Sequence, residues 1–184
     1  MIPKKILITG GAGMLATDLT EHFQSQRFYE PIALPRTALD ITALDQVEAA
    51  FAAYAPDVVI NTAALMVEEC ETSPESAYKT NTWGVRQLAQ SCQRYHATFI
   101  QISSCGLFGD TIRAYHEYDS PVLKTVYAKT KQASEIFTAH FCEQYYVLRL
   151  GWLYGGQAQH RRNFVMARYR EALNKPVLHS ACDK

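Results

Sequence analysis

Tyr127 and Lys131 stand four positions apart in a stretch, Leu123 to Cys142, that reads as a helix. At that spacing both side chains leave the same face. A free tyrosine has a pKa of about 10 and carries protons poorly at neutral pH. A neighbouring ammonium favours the phenolate and brings that value down. Lowering it by about three units takes roughly 4 kcal/mol of differential stabilisation. Taken alone, Tyr-x-x-x-Lys equally describes a helix-surface pair that contributes a few tenths of a kcal/mol. Ser104 comes just past the preceding strand. Its hydroxyl could hydrogen-bond a carbonyl oxygen while Tyr127 gives or takes the proton. Ser103 is the rival for that role, and both serines also read as turn residues bonding nearby backbone. Cys105 has no histidine near it in sequence, so it does not read as a nucleophile.

A second chemical signal stands at the start of the chain. Ile6, Leu7 and Ile8 form a short apolar run, followed by Thr9-Gly10-Gly11-Ala12-Gly13-Met14-Leu15-Ala16. A run of that kind is a strand buried on both faces. Leu15, Leu19 and Phe23 then recur every four positions, as on one helix face. Strand, glycine turn and helix form the context of a dinucleotide-binding loop. Gly10 permits the tight turn, and Gly13 lets backbone amides approach a pyrophosphate at the helix's positive end. Ala16 is small enough for the helix to lie close on the sheet. With a dinucleotide present, Lys131 and an oxidised nicotinamide together could supply the energy that Tyr127 needs. Lys131 could also hold the nicotinamide ribose.

These residues need elements to hold them. Pro31–Leu34 reads as the second strand, whose end faces the adenosine ribose. An acidic residue there would favour NAD, but Pro35 and Arg36 occupy the place. A guanidinium can pair with a 2′-phosphate, which favours NADP and leaves NAD open. Arg36 also reads as a solvated surface residue. A helix from Ala43 to Tyr54 is expected, capped by Asp40 or Thr42. Val58–Ile60 is a buried strand, and the small residues Ala63 and Ala64 beyond it would let a cofactor pass close to the backbone. A long helix spans Pro74 to Tyr95, interrupted by Asn81 and Gly84. Asn81 reads as structural, bonding a neighbouring carbonyl or holding a water. Strands at 97–102 and 146–150 follow, then a helix over 163–173 and a strand beginning at Val177-Leu178. Strands alternating with helices at this spacing give an α/β fold with a doubly wound parallel sheet.

The totals narrow the function. The 184 residues are enough for one sizeable core, and 48% are apolar. Formal net charge is zero, which argues against a nucleic-acid surface. No run reaches membrane-spanning length, and no signal peptide is expected. Cys70, Cys92, Cys105, Cys142 and Cys182 lack Cys-x-x-Cys spacing, so they read as free thiols in a reducing cytoplasm. None of the six histidines is assigned to a metal.

The chain resembles an extended short-chain dehydrogenase/reductase, closest to the dTDP-4-dehydrorhamnose reductase group. The matching stretches include Thr9–Gly13, Leu39–Thr42, Pro56–Asn61, Asn81–Val85, Ile102–Ser104, Val126–Lys131, and Leu148-Arg149 with Trp152, Tyr154 and Gly155. The likeness runs through Asn163–Val165, over nearly the whole chain. It implies a Rossmann-like domain over 1–160 with helices on both sheet faces. It also implies that 161–184 begin a substrate lobe that is otherwise largely absent. Ser104, Tyr127 and Lys131 would be catalytic. Gly10, Gly13, Met14, Leu15, Arg36, Asp40, Ile41, Ala63 and Ala64 would line an NADP or NAD site, with Tyr127 and Lys131. Trp152 and Ser104 would meet the sugar. The family's usual aspartate and tyrosine after the hydroxyl residue are Cys105 and Gly106 here. The implied activity is reduction of a 4-keto group on a nucleotide-linked deoxysugar, by a cytoplasmic enzyme. Alternatives are an epimerase or dehydratase, or a non-catalytic NADP-binding subunit resembling the regulatory subunit of methionine adenosyltransferase. A homodimer is a further open alternative.

Overall fold

In the computed structural model, which describes residues 2–156, 160 and 163–179, β1 (Lys4–Thr9) lies inside a parallel sheet. Its order is β2–β1–β3–β4–β5, with β2 at Tyr29–Leu34, β3 at Val58–Asn61, β4 at Thr98–Ser104 and β5 at Tyr145–Leu150. All four pairings are parallel. Successive side chains of a strand point to opposite faces, so the apolar run of β1 feeds two cores. Leu7 packs with Val59 and Phe99 against α2 (Leu44–Tyr54) and α5 (Val85–Tyr95). Ile6, Ile8 and Ile60 pack on the other face with Ala16 of α1 (Met14–Gln24). Ala16 is fully buried, so a larger residue there would lift the helix off the sheet.

β2 lies on one side of β1, and β3, β4 and β5 follow on the other. Reversal of strand order at β1 and β3 opens a crevice beyond their carboxyl ends. The glycine turn, Ala63, Ala64 and Ser104 all follow or end strands at that edge.

Several local expectations are corrected. α2 begins after Ala43, and neither Asp40 nor Thr42 caps it. Asp40 instead turns back to accept from the Thr42 amide and hydroxyl at 2.9 and 2.8 Å. A short helix, α3 (Val67–Thr72), precedes the long one, which is α4 (Pro74–Tyr78), a π-helical segment (Lys79–Gly84) and α5. Asn81 and Gly84 sit in that π segment. The Gly84 backbone lies against Ile41; an added Cβ would come within 2.8 Å of its side chain. Ser103 and Ser104 are not turn residues but the last of β4, paired with Arg149 and Leu150 of β5. The helix carrying Tyr127 is α6 (Val126–Phe141), capped by the Thr125 hydroxyl accepting from the Ala128 amide. α7 (Phe164–Asn174) follows, and Val177-Leu178 form no strand. Cys182 lies outside the described residues.

Candidate active site

The glycine turn is held by backbone bonds. Gly10 takes φ +66°, and the Gly13 amide donates to its carbonyl at 2.8 Å. The Gly11 amide donates to the Leu34 carbonyl at 2.8 Å. A Cβ on Gly11 would sit 2.7–2.9 Å from backbone atoms of Ala33 and Leu34. Spacing points to Gly10 and Gly13, yet Gly11 is the glycine wedged against β2. Gly13 precedes α1 without a side-chain cap, and no acidic residue stands in the first turn. The first-turn amides of Met14 and Leu15 therefore face outward with no intrahelical acceptor. That donor set, at a positive helix end, fits a phosphate.

Arg36 follows β2, with its side chain 73% exposed and its Nε 3.3 Å from Asp40. Asp40 carries a burial penalty that hydrogen bonds from Thr42 and the Arg36 charge outweigh, holding its carboxyl below the ordinary range. Ile41 is buried in the core, leaving its backbone as the part that could face a ligand. Ala63 and Ala64 are half-buried beyond β3, and the Ala63 amide donates to Asn61 Oδ1 at 3.2 Å.

A chain of buried polar groups crosses the sheet edge. Thr9 Oγ1 donates to Asn61 Oδ1 at 2.6 Å, and Asn61 Nδ2 donates to Gln101 Oε1 at 2.8 Å. Gln101 Nε2 donates to the Ile102 carbonyl at 2.9 Å. Lys131 Nζ donates to that same carbonyl at 2.5 Å. Sequence reasoning does not reach Thr9 and Gln101, because a polar residue inside a strand announces no partner. Full burial drives Lys131 down to about 8, and the Glu135 carboxylate opposes the fall.

Ser104 and Tyr127 are brought together. The Ser104 hydroxyl accepts from the Gly106 amide at 3.0 Å, and it stands beside the Tyr127 phenol. Burial pushes that phenol above its ordinary value, while the neighbouring Ser104 hydroxyl pulls it back. The expected lowering of Tyr127 by Lys131 is thus corrected: the ammonium points at the Ile102 carbonyl, not at the phenol. Ser103 is engaged elsewhere, donating to Glu135 at 2.5 Å. Asn81 has the structural role expected of it. It accepts from the Leu65 amide at 2.8 Å and donates to the Leu65 carbonyl at 3.0 Å and Thr130 at 3.2 Å. Cys105 is exposed, and Trp152 is 75% exposed beyond β5.

The family described as RmlD substrate binding domain matches residues 4–184. The chain belongs to this family. A dTDP-4-dehydrorhamnose reductase of Aggregatibacter actinomycetemcomitans is 31% identical over 182 residues, 98% of this chain and 61% of the relative. One from Streptomyces griseus is 38% identical over 152 residues, 81% of this chain and 50% of the relative. The crystal structure of dTDP-4-dehydrorhamnose reductase from Bacillus anthracis str. Ames in complex with NADP superposes with a TM-score of 0.90 at 28% identity. That match covers 97% of this chain and 63% of the other. The chain thus spans at most about three fifths of the length of these relatives. Family membership agrees with the α/β fold and the strand order above. Among the described residues, no helix is long and apolar enough to cross a membrane.

Proposed function

We propose that the chain carries the cofactor side of an NADPH-dependent reductase acting on the 4-keto group of a dTDP-linked deoxysugar. What supports this most is the placement of Ser104 beside Tyr127 at the same sheet edge as the uncapped glycine turn. Relatives named dTDP-4-dehydrorhamnose reductase, one of them crystallised with NADP, support the substrate class and the cofactor. Met14 and Leu15 hold the pyrophosphate through their backbone amides, and Gly10 and Gly13 shape the turn that lets it approach. Arg36 pairs with the 2′-phosphate, and Asp40, Ile41, Ala63 and Ala64 line the adenosine side. When bound, NADPH supplies the hydride.

Tyr127 then supplies the proton to the substrate oxygen. Reduction needs a phenol that starts protonated, and burial keeps this one so. Ser104 donates its one proton to the oxygen as negative charge grows there. Lys131, cationic at neutral pH, holds the cofactor ribose and stabilises the phenolate once formed. Trp152 meets the sugar. The stretch 161–184 begins the substrate lobe. Mixing the protein with NADPH deuterated at C4 and a dTDP-4-keto-6-deoxysugar should place deuterium on the sugar's C4, read by mass spectrometry. Unlabelled sugar with the nicotinamide still reduced would contradict the assignment.

Arg36 gives a prediction on cofactor choice. Its exposed ion pair with Asp40 contributes little, so the guanidinium is free to turn to a phosphate. Arg36→Ala should weaken NADPH binding by about tenfold or more, the effect of one charge-assisted bond, and leave NADH within about twofold. Fluorescence titration with both nucleotides checks this. An equal loss for the two would remove Arg36 from the 2′-phosphate site.

A further inference from the structure

Arg149 of β5 makes contacts that the proposed reaction does not use. Its Nε donates to Glu135 Oε1 at 3.0 Å and its Nη2 to Glu135 Oε2 at 2.7 Å. Its Nη1 donates to the Glu117 carbonyl at 2.9 Å, and its guanidinium lies over the Phe108 ring, 5.2 Å from the centroid. The pair is largely buried, with side chains 22% and 11% exposed. Glu135 also accepts from Ser103, which is paired with Arg149 in the sheet.

Glu135 stands one helical turn beyond Lys131 on α6. Glu117 and Phe108 belong to the loop over 105–125, whose two ends adjoin Ser104 and Tyr127. Phe108 stacks on Tyr115 at 4.7 Å, and the Tyr115 hydroxyl bonds the carbonyls of Gly109 and Thr111. One guanidinium therefore touches both halves of that loop and the carboxylate beside the lysine. A buried ion pair seldom repays its desolvation in stability, so its use lies elsewhere.

We propose that Glu135 and Arg149 are positioning residues: one ion pair ties the helix carrying Tyr127 and Lys131 to the 105–125 loop, and places a carboxylate one turn from the lysine. The claim rests on the reading of Lys131 as a cofactor-side residue. The groups that face Lys131 are Glu135 on its own helix, the Cys70 thiol from α3 and the Ile102 carbonyl from β4. Burial raises Cys70, with Glu71 and Glu69 adding to the rise, so the thiol stays neutral at neutral pH. Glu135, one turn along α6, is then the carboxylate whose charge favours the ammonium. Arg149 faces Glu135 from β5 and Ser103 from β4.

The test is a pH titration of the protein labelled with 13C-lysine, followed by NMR, with the Lys131 signal identified by its loss in Lys131→Met. The wild type should titrate near 8. Glu135→Gln keeps the shape and removes the charge, so the midpoint should fall by about one unit. Amide hydrogen exchange over 105–125 should also quicken at least tenfold. Arg149→Lys keeps a cation but loses the fork, so loop exchange should quicken while the Lys131 midpoint holds within about half a unit. That second variant decides the loop claim if Glu135→Gln does not fold. An unmoved Lys131 midpoint in folded Glu135→Gln, or unchanged loop exchange in Arg149→Lys, overturns the proposal. A parallel NADPH titration keeps the two readings apart. Wild-type protein that takes up no NADPH defeats the proposed function, while the lysine and loop measurements still judge the ion pair.

Discussion

Tyr127→Phe should cut NADPH-dependent reduction of a dTDP-4-keto-6-deoxysugar by about 10³-fold or more, the scale of a lost general acid. NADPH affinity should stay within about twofold. The variant removes one oxygen from a ring that is partly buried and stands beside Ser104. Ser104 is a far weaker acid than a phenol, and the Lys131 ammonium donates to the Ile102 carbonyl. The loss should therefore fall on kcat, with KM little changed, because the proton moves only on the way to the transition state. Single-turnover loss of NADPH absorbance measures it. Activity within about tenfold of wild type would assign the proton to another group.

Gly11→Ala should be the most damaging single methyl in the molecule's cofactor region. The added carbon would lie 2.7–2.9 Å from backbone atoms of Ala33 and Leu34, which cannot rotate aside. Either the turn or β2 must move, and the Gly11–Leu34 hydrogen bond at 2.8 Å stretches with it. The expected cost is about 2 kcal/mol or more in a denaturant titration, the upper range of overpacking. NADPH affinity should drop by about tenfold or more as the Met14 and Leu15 amides lose their aim. Gly13→Ala is the matched comparison. Its Cβ would meet only the Gly10 carbonyl oxygen, at 3.0 Å, so its stability cost should be clearly smaller. Equal behaviour of the two variants would mean that contact with β2 is not what makes Gly11 special.

Much of this architecture can be read from residue order. The Ile6–Ile8 run, the glycines and the four-residue recurrence of Leu15, Leu19 and Phe23 are local signals, and the sheet and α1 follow from them. Local signals mislead where tertiary pairing overrides them. Two serines before a Cys-Gly pair look like a turn, yet β5 draws them into the sheet by pairing Arg149 and Leu150 beside them. α3 leaves little trace in the sequence, because Val67–Thr72 carries three glutamates and only one buried residue, Cys70, too little apolar pattern to mark a helix face.

The site shows the same division. The Tyr127–Lys131 spacing is visible in the chain, but where the lysine points is not. A carbonyl on β4 takes its proton donor, and no sequence spacing reports a carbonyl's direction. The buried bonds linking Thr9, Asn61 and Gln101, and the pairing of Glu135 with Arg149, join residues brought close only by the crossovers between strands.

Titration of the protein with NADPH, followed by the enhanced fluorescence of the bound nucleotide, bears most directly on the central claim. Saturable uptake of one equivalent per chain, stronger than that of NADH, is the expected result. Folded protein that shows no saturable uptake of either nucleotide would contradict the assignment of this sheet edge to a dinucleotide.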